Sequence, residues 1–374
     1  MPVRAKDLFQ LVEKLAPLDL AEQGDNPGLQ IGTPEAEVSR VLLALDVDEG
    51  VCREAREKEA QLIICHHPLL FRPLKNIRTD LPQGALLASL LRAGIAVYAA
   101  HTNLDNAAGG VNDALAARLG LQEVEVLRVT RRQKFLKLVV FVPVSHAEIV
   151  RSALGKAGAG WIGNYRECTF QVAGKGTFLP LAGTRPFLGR PGELAHVEEV
   201  RLETIVPEEL AGPAVKAMLA AHPYEEVAYD LYPLANEGPA RGTGRVGVLA
   251  GPGAVAFEEF VEHVKSALGV GNVRCGGEPA RKIHRVAVCG GAGAEFWPDA
   301  RAAGADVLVT GDIGYHAAKE MISAGLNYID AGHYGTEQVI LPVLRDYLAE
   351  HCRQKGWAVE IFLAARQTDP FAFK

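Results

Sequence analysis

Short apolar runs punctuate the first part of the chain, and each stops abruptly in polar residues. Arg40-Val-Leu-Leu-Ala-Leu-Asp46 suits a buried strand, and the charged stretch from Asp48 to Glu59 a crossover helix. Gln61-Leu-Ile-Ile-Cys65 is a second buried strand, ending in His66-His67-Pro68. Leu86, Leu87, Leu90 and Leu91 recur at helical spacing, and Gly94 is placed to stop that helix. Ile95-Ala-Val-Tyr-Ala-Ala100 is a third strand, running into His101-Thr102-Asn103-Leu104-Asp105. Strands alternating with helices predict a parallel sheet with right-handed crossovers and helices on both faces.

The C-terminal part repeats this rhythm. Arg285–Cys289 leads into Gly290-Gly291-Ala292-Gly293, Asp306–Thr310 into Gly311-Asp312-Ile313-Gly314-Tyr315-His316, and Asn327–Asp330 into Ala331-Gly332-His333-Tyr334-Gly335-Thr336-Glu337. Ionisable residues therefore gather where strands stop, the edge at which open α/β sheets place their ligands.

The middle differs. Strands over Phe135–Val142, Glu167–Ala173, Val197–Val206 and Glu226–Pro233 alternate with helices from Ser145 to Lys156 and Glu208 to Ala221. Ser145-His-Ala-Glu148 reads as a capping box. The order β-α-β-β-α-β is that of a ferredoxin-like α+β unit. Gly and Pro crowd residues 174–192, predicting a long loop between the middle strands, and residues 236–244 form a return linker. The expected organisation is one α/β domain in two segments, 1–130 and 237–374, split by an insert at 131–236.

Composition narrows the function classes. Across 374 residues, 48% are hydrophobic and 22% charged, a globular balance. Lys plus Arg number 39 against 45 Asp plus Glu, a net charge of −6 that argues against nucleic acid as the main partner. No stretch approaches the ~18 apolar residues of a membrane span, and the N-terminus lacks the apolar core of a signal peptide. Six cysteines without CxxC pairs read as reduced thiols in a cytoplasmic protein.

The candidate chemistry is a metal centre. Within a strand, His66 and His67 would face opposite sides, but at a strand end bent by Pro68 both can splay towards neighbouring ions. Asp105 lies one βαβ unit further on, again beyond a strand, where its two oxygens can bridge two cations. His333 and Glu337 are four residues apart and share one face of a helix, with Pro342 beyond them. Three imidazoles and two carboxylates suit zinc, iron, manganese, nickel or cobalt. Five side chains cannot saturate two ions, so water completes the shells, as at a catalytic site.

Plainer readings stand beside this one. Asp105 also fits a helix cap, and His333 with Glu337 a surface pair. The Gly290–Gly293 run suits either an anion cradle or a tight structural turn, and the second is favoured. Asp46, Asp312 and His316 are secondary candidates for lining the site. Strand alternation turns Cys65 away from His66, leaving it structural. The convergence of three segments on one sheet edge favours the dinuclear centre.

These residues carry a resemblance. Ala44–Val47, Leu62–Leu74, Ala100–Asp105, Thr310–His316 and Ala331–Glu337 resemble the Nif-three-like dinuclear metal-centre family, whose members are often called GTP cyclohydrolase 1 type 2 homologues. The resemblance implies metal ligation by His66, His67, Asp105, His333 and Glu337. Gly160–Phe170, Gly174–Phe178 and Ala221–Pro233 look like the longer members, whose middle domain is similar to PII and CutA-like folds. That likeness implies a homohexameric toroid with the metal sites facing an internal cavity and the inserts capping it. A departure occurs at Gly24-Asp-Asn-Pro-Gly-Leu29, where the family commonly has a tryptophan before Asp-Asn.

Two functions follow. The first is a hydrolase using two divalent metal ions on GTP, another nucleotide or a phosphoester, with His101 as candidate general base or, alternatively, as a group orienting Asp105. The second is a metal-binding hexameric scaffold or sensor, its insert binding a small molecule.

Overall fold

The computed structural model describes residues 2–251 and 253–372. The chain divides into two compact units, one of Met1–Thr130 with Arg241–Lys374 and one of Arg131–Ala240. Residues 237–240 stay with the second unit, where Gly238 N–H donates to the Gln133 carbonyl at 3.0 Å and Gln133 N–H to that of Pro239 at 3.1 Å.

Among the described residues, the expected single sheet of the first unit is two large sheets and a two-stranded one, Val255–Ala256 with Lys282–Ile283. One has the strand order Gly28–Ile31, Ala96–Ala99, Leu62–Cys65, Arg40–Ala44, Glu360–Leu363. Its last four strands are parallel, and only Gly28–Ile31 pairs antiparallel. Ala44 lies beside Cys65 and Cys65 beside Ala99, so three strands release their following residues at one edge. The second sheet has the order Arg274–Gly276, Asn327–Asp330, Val307–Thr310, Arg285–Val288, Ala240–Leu249, Leu121–Arg132. Its three middle parallel strands align Val288 with Val309 and Thr310 with Asp330.

Side-chain alternation explains why both sheets need helices on both faces. In the first sheet, Leu43, Leu62, Ile64, Ala96 and Tyr98 join a core with Leu8, Phe9 and Val12 of the helix Ala5–Leu15 and Leu341, Leu344 and Leu348 of Ile340–Gln354. Leu42, Ile63, Cys65 and Val97 face the other way, onto Val51 and Ala55 of Glu49–Glu57 and Leu87 and Leu90 of Pro82–Ala93. The latter helix ends at Gly94 with φ +67°, a conformation that glycine adopts without a Cβ clash. The second sheet is sandwiched likewise, Val286, Val307 and Ile329 against Phe260 and Val264, and Ala287 and Leu308 against Ala300 and Met321. Every such strand is buried on both faces, which is why it reads as an unbroken apolar run.

The second unit is a four-stranded antiparallel sheet in the order Thr169–Phe178, Ala195–Pro207, Phe135–Pro143, Tyr229–Pro233. Helices Ala147–Lys156 and Ala211–Ala221 cover one face, packing Val150, Leu154, Ala214 and Met218 onto Leu138, Val140, Val200 and Leu202. Two local expectations fail here. The Ser145–Glu148 capping box does not form, because Ser145 bonds His146 at 2.9 Å and Glu148 is drawn to Arg151 at 2.6 and 2.8 Å. Gly174 and Gly176 belong to a strand, so the loop begins only after Phe178; Gly176 serves there because a Cβ would strike the Glu199 carboxylate.

Candidate metal centre

At the edge of the first sheet, backbone bonding sets the paired histidines. His66 N–H donates to the Ala44 and Leu45 carbonyls at 3.1 Å, and His67 N–H to that of Leu45 at 2.8 Å. The turn after Ala99 carries the short helix Thr102–Asn106. Buried Asn103 and Asn106 pin it to the carbonyls of Ala16 and Leu20 at 2.8 and 2.9 Å, and Asn112 holds the Asp105 carbonyl at 3.0 Å. From the second sheet, the helix His333–Glu337 follows Asp330, and Gly332 opens it with φ +81°. The five expected ligands thus come from the edges of two sheets of one unit rather than from one edge.

Four imidazoles enter this site with Nδ1 already committed. His66 Nδ1–H donates to the Ala100 carbonyl at 2.8 Å. His67 bonds Asp46 at 2.9 Å, His333 bonds Asp312 at 2.8 Å, and His101 bonds Asp25 at 2.8 Å. Tying Nδ1 leaves Nε2 as the nitrogen that faces the site. The Nε2 atoms of His67 and His333 are 3.3 Å apart. Glu337 is the hub: its oxygens lie 3.6 Å from His66 Nε2, 3.1 Å from His67 Nε2 and 3.2 Å from His333 Nε2. Asp105 Oδ1 is 3.7 Å from His66 Nε2. Among the described residues, two groups have ligand atoms close enough to hold a metal ion, His66 with His67 and His101, and His67 with His333 and Glu337.

Buried carboxylates and imidazoles are concentrated here and shift one another. Burial pushes Asp105 up to about 7, with His66 opposing and Glu337 adding to the rise. Burial also acts to raise Glu337, yet the His66 charge and the close His333, His66 and His67 rings hold it well below the carboxylate range. The Glu337 carboxylate lifts His333 to about 9 against its burial. Burial lowers His67, but Asp46 and Glu337 outweigh it and carry the ring to about 10. His66 moves up in the same way, through Asp105 and Glu337. His101 moves down, because burial and the His66 charge outweigh Asp25.

Three buried atoms, His66 Nε2, Asp105 Oδ1 and Glu337 Oε2, have no hydrogen-bond partner among the described residues. Buried polar atoms without partners are costly, and an imidazole nitrogen beside two carboxylate oxygens, once its proton is displaced, is a donor set that suits a divalent cation. His/Glu clusters that can bind a metal ion are therefore present.

The secondary candidates separate clearly. Asp46 and Asp312 anchor imidazoles, whereas His316 is exposed and stacks edge-on against Tyr315. Cys65 Sγ contacts the His67 and Tyr98 carbonyls, away from the Nε2 cluster. The N–H groups of Gly290, Gly291 and Gly293 are taken by Asn112, Thr336 and Thr310 at 2.9, 3.0 and 2.9 Å, so the turn is not an anion cradle. It is a close wall instead: a Cβ at Gly291, where φ is +65°, would lie 2.2 Å from Glu337 Oε1 and 3.2 Å from His333 Nε2.

Asp25 is the residue that the sequence reading missed. It fixes His101 and also accepts from the Thr102 hydroxyl and from Thr102 N–H at 3.1 Å. Its place beside Asn26 and Pro27 in a turn-like segment was the available signal.

A family model described as DUF34/NIF3 (NGG1p interacting factor 3) matches residues 3–370. A Halalkalibacterium halodurans protein named GTP cyclohydrolase 1 type 2 homolog is 46% identical over 366 residues, 98% of each chain. A Bacillus subtilis protein of the same name is 46% identical over 371 residues, 99% of each chain. The crystal structure of a Bacillus cereus protein related to NIF3 superposes with a TM-score of 0.94 at 47% identity, covering 100% of both chains.

Proposed function

The chain belongs to the DUF34/NIF3 (NGG1p interacting factor 3) family, and from that premise we propose that it is a hydrolase dependent on two divalent metal ions. The observation that carries this reading is the trio of buried, unpartnered atoms on His66, Asp105 and Glu337. His66, His67, Asp105, His333 and Glu337 would hold the ions. A pair of divalent ions supplies an acidified water and neutralises charge developing on a carbonyl or phosphoryl oxygen.

The chain's own residues supply the rest. Asp46, Asp312 and the Ala100 carbonyl lock three rings so that Nε2 faces inward, which lowers the cost of assembling the site. His101 is the proposed proton acceptor. Its Nδ1 is fixed by Asp25, and its pKa is held below the usual imidazole value, leaving Nε2 unprotonated at neutral pH. A nucleotide or phosphoester is the proposed substrate class, with GTP suggested by the names of the curated relatives.

Further parts of the reading concern assembly. The strand order within 131–240 supports a ferredoxin-like insert, and we read the protein as a cytoplasmic homohexamer. No helix among the described residues is long and apolar enough to cross a membrane. A second reading, a metal-holding scaffold with a ligand-binding insert, is favoured by one observation, an aromatic-lined cavity within residues 131–240.

Turnover decides between them. The full chain should hydrolyse GTP or p-nitrophenyl phosphate with a rate set by added metal, and Asp105→Ala should lose both metal and turnover. If Asp105→Ala loses metal but hydrolyses the nucleotide unchanged, the hydrolase reading is wrong.

A further inference from the structure

On the sheet face of residues 131–240 opposite its two helices lies a cavity of about 590 Å³. The loop after Phe178 and the segment around Tyr224 wall it, and all its lining residues fall within 141–228. This volume is that of a small-molecule site.

Three rings surround its polar centre. Phe178 and Tyr224 meet edge to face with centroids 5.7 Å apart, and Phe187 stands 6.4 Å from Tyr224. The Tyr224 hydroxyl donates to Glu199 Oε1 at 2.8 Å. Tyr224 is itself held by a neutral His222, which accepts from Tyr224 N–H at Nδ1 (3.1 Å) and donates Nε2–H to the Phe141 carbonyl (3.0 Å). Burial keeps the His222 pKa below its ordinary value, consistent with that tautomer.

Glu199 is the group without adequate compensation. Only 9% exposed, its carboxylate hydrogen-bonds a neutral phenol, and no cationic side chain pairs with it among the described residues. The two cations lining the cavity are occupied elsewhere, Lys175 with Glu198 at 3.4 Å and Arg201 with Glu203 at 2.8 Å. A buried carboxylate calls for a cation, and aromatic faces attract one by their quadrupoles.

We propose that this cavity binds an organic cation, an alkylated or aryl ammonium, between the rings of Phe178, Phe187 and Tyr224 with its charge towards Glu199. The proposal is independent of the metal-centre reading, since none of its residues takes part in that centre.

Calorimetric titration of the full-length protein with benzyltrimethylammonium tests it, with neutral neopentylbenzene and anionic benzenesulfonate as matched probes. Saturable binding of the cation at least about tenfold tighter than either probe is expected. Glu199→Gln should weaken the cation about tenfold and leave the neutral probe unchanged. Phe187→Ala, at a half-exposed loop position, should weaken the cation as well and serves if Glu199→Gln does not fold. No saturable cation binding, equal affinity for the neutral or anionic probe, or a Phe187→Ala protein that binds the cation as wild type does would each overturn the proposal.

Discussion

His333 Nε2 and Glu337 Oε1 lie 3.2 Å apart on successive turns of one five-residue helix, and the same carboxylate reaches within 3.6 Å of His66 and 3.1 Å of His67. One buried side chain thus gathers three imidazoles that arrive from two sheets. Glu337→Gln keeps the shape and removes the charge. We expect at least about a hundredfold loss of metal affinity by equilibrium dialysis. In the metal-free variant, the His67 and His333 pKa values should fall towards about 6.5, read by NMR titration.

Asp46 tests the anchoring of the rings separately from ligation. It is exposed, so Asp46→Ala should leave the fold intact while freeing His67 to rotate. A loss of about 10–100-fold in metal affinity is expected, with the metal-free melting temperature nearly unchanged. Unaltered affinity would show that His67 needs no second partner.

Gly291 predicts a steric effect. Its φ of +65° strains any L side chain, and its Cβ position falls 2.2 Å from Glu337 Oε1. Gly291→Ala should cost about 1–3 kcal/mol in chemical denaturation and displace Glu337 enough to abolish metal uptake.

The metal-free protein should lose stability as pH rises. Glu337 pushes His333 up to about 9, and Asp46 with Glu337 pushes His67 up to about 10, above the ordinary 6.5. Their bound protons therefore stabilise the fold fully below about pH 6.5, and the contribution is lost as pH climbs through 9 to 10. Asp105, raised to about 7, acts with the same sign at lower pH. Glu337 is lowered and has the opposite sign, but its window lies in acid, below about pH 4.5. Metal-free protein should melt on the order of a few degrees lower at pH 9 than at pH 6.5. Metal loading should reverse this trend, because ions compete with the same protons.

Much of this site was legible because buried parallel strands are apolar from end to end, so the polar residue that stops each run stands out. His66, His67 and Asp105 are found that way, and His333 with Glu337 through helical spacing. The partition into two sheets was not legible, since a βαβ series looks the same whichever sheet its strands join. The long strand Leu121–Arg132 was missed because eight of its twelve side chains are exposed and five are charged, which imitates a solvated segment. Asp25 acts on His101 across 76 residues of sequence, and the need for Gly291 arises from a clash with Glu337; neither leaves a local pattern. The Ser145 capping box was a real pattern defeated by competition, Arg151 being the stronger partner for Glu148.

The central claim, a two-ion centre, is tested most directly by metal analysis of the full-length protein purified without chelator, beside His67→Ala. The account predicts about two transition-metal ions per chain, falling in the variant. Protein that holds no metal, even after incubation with zinc, iron or manganese, would contradict it.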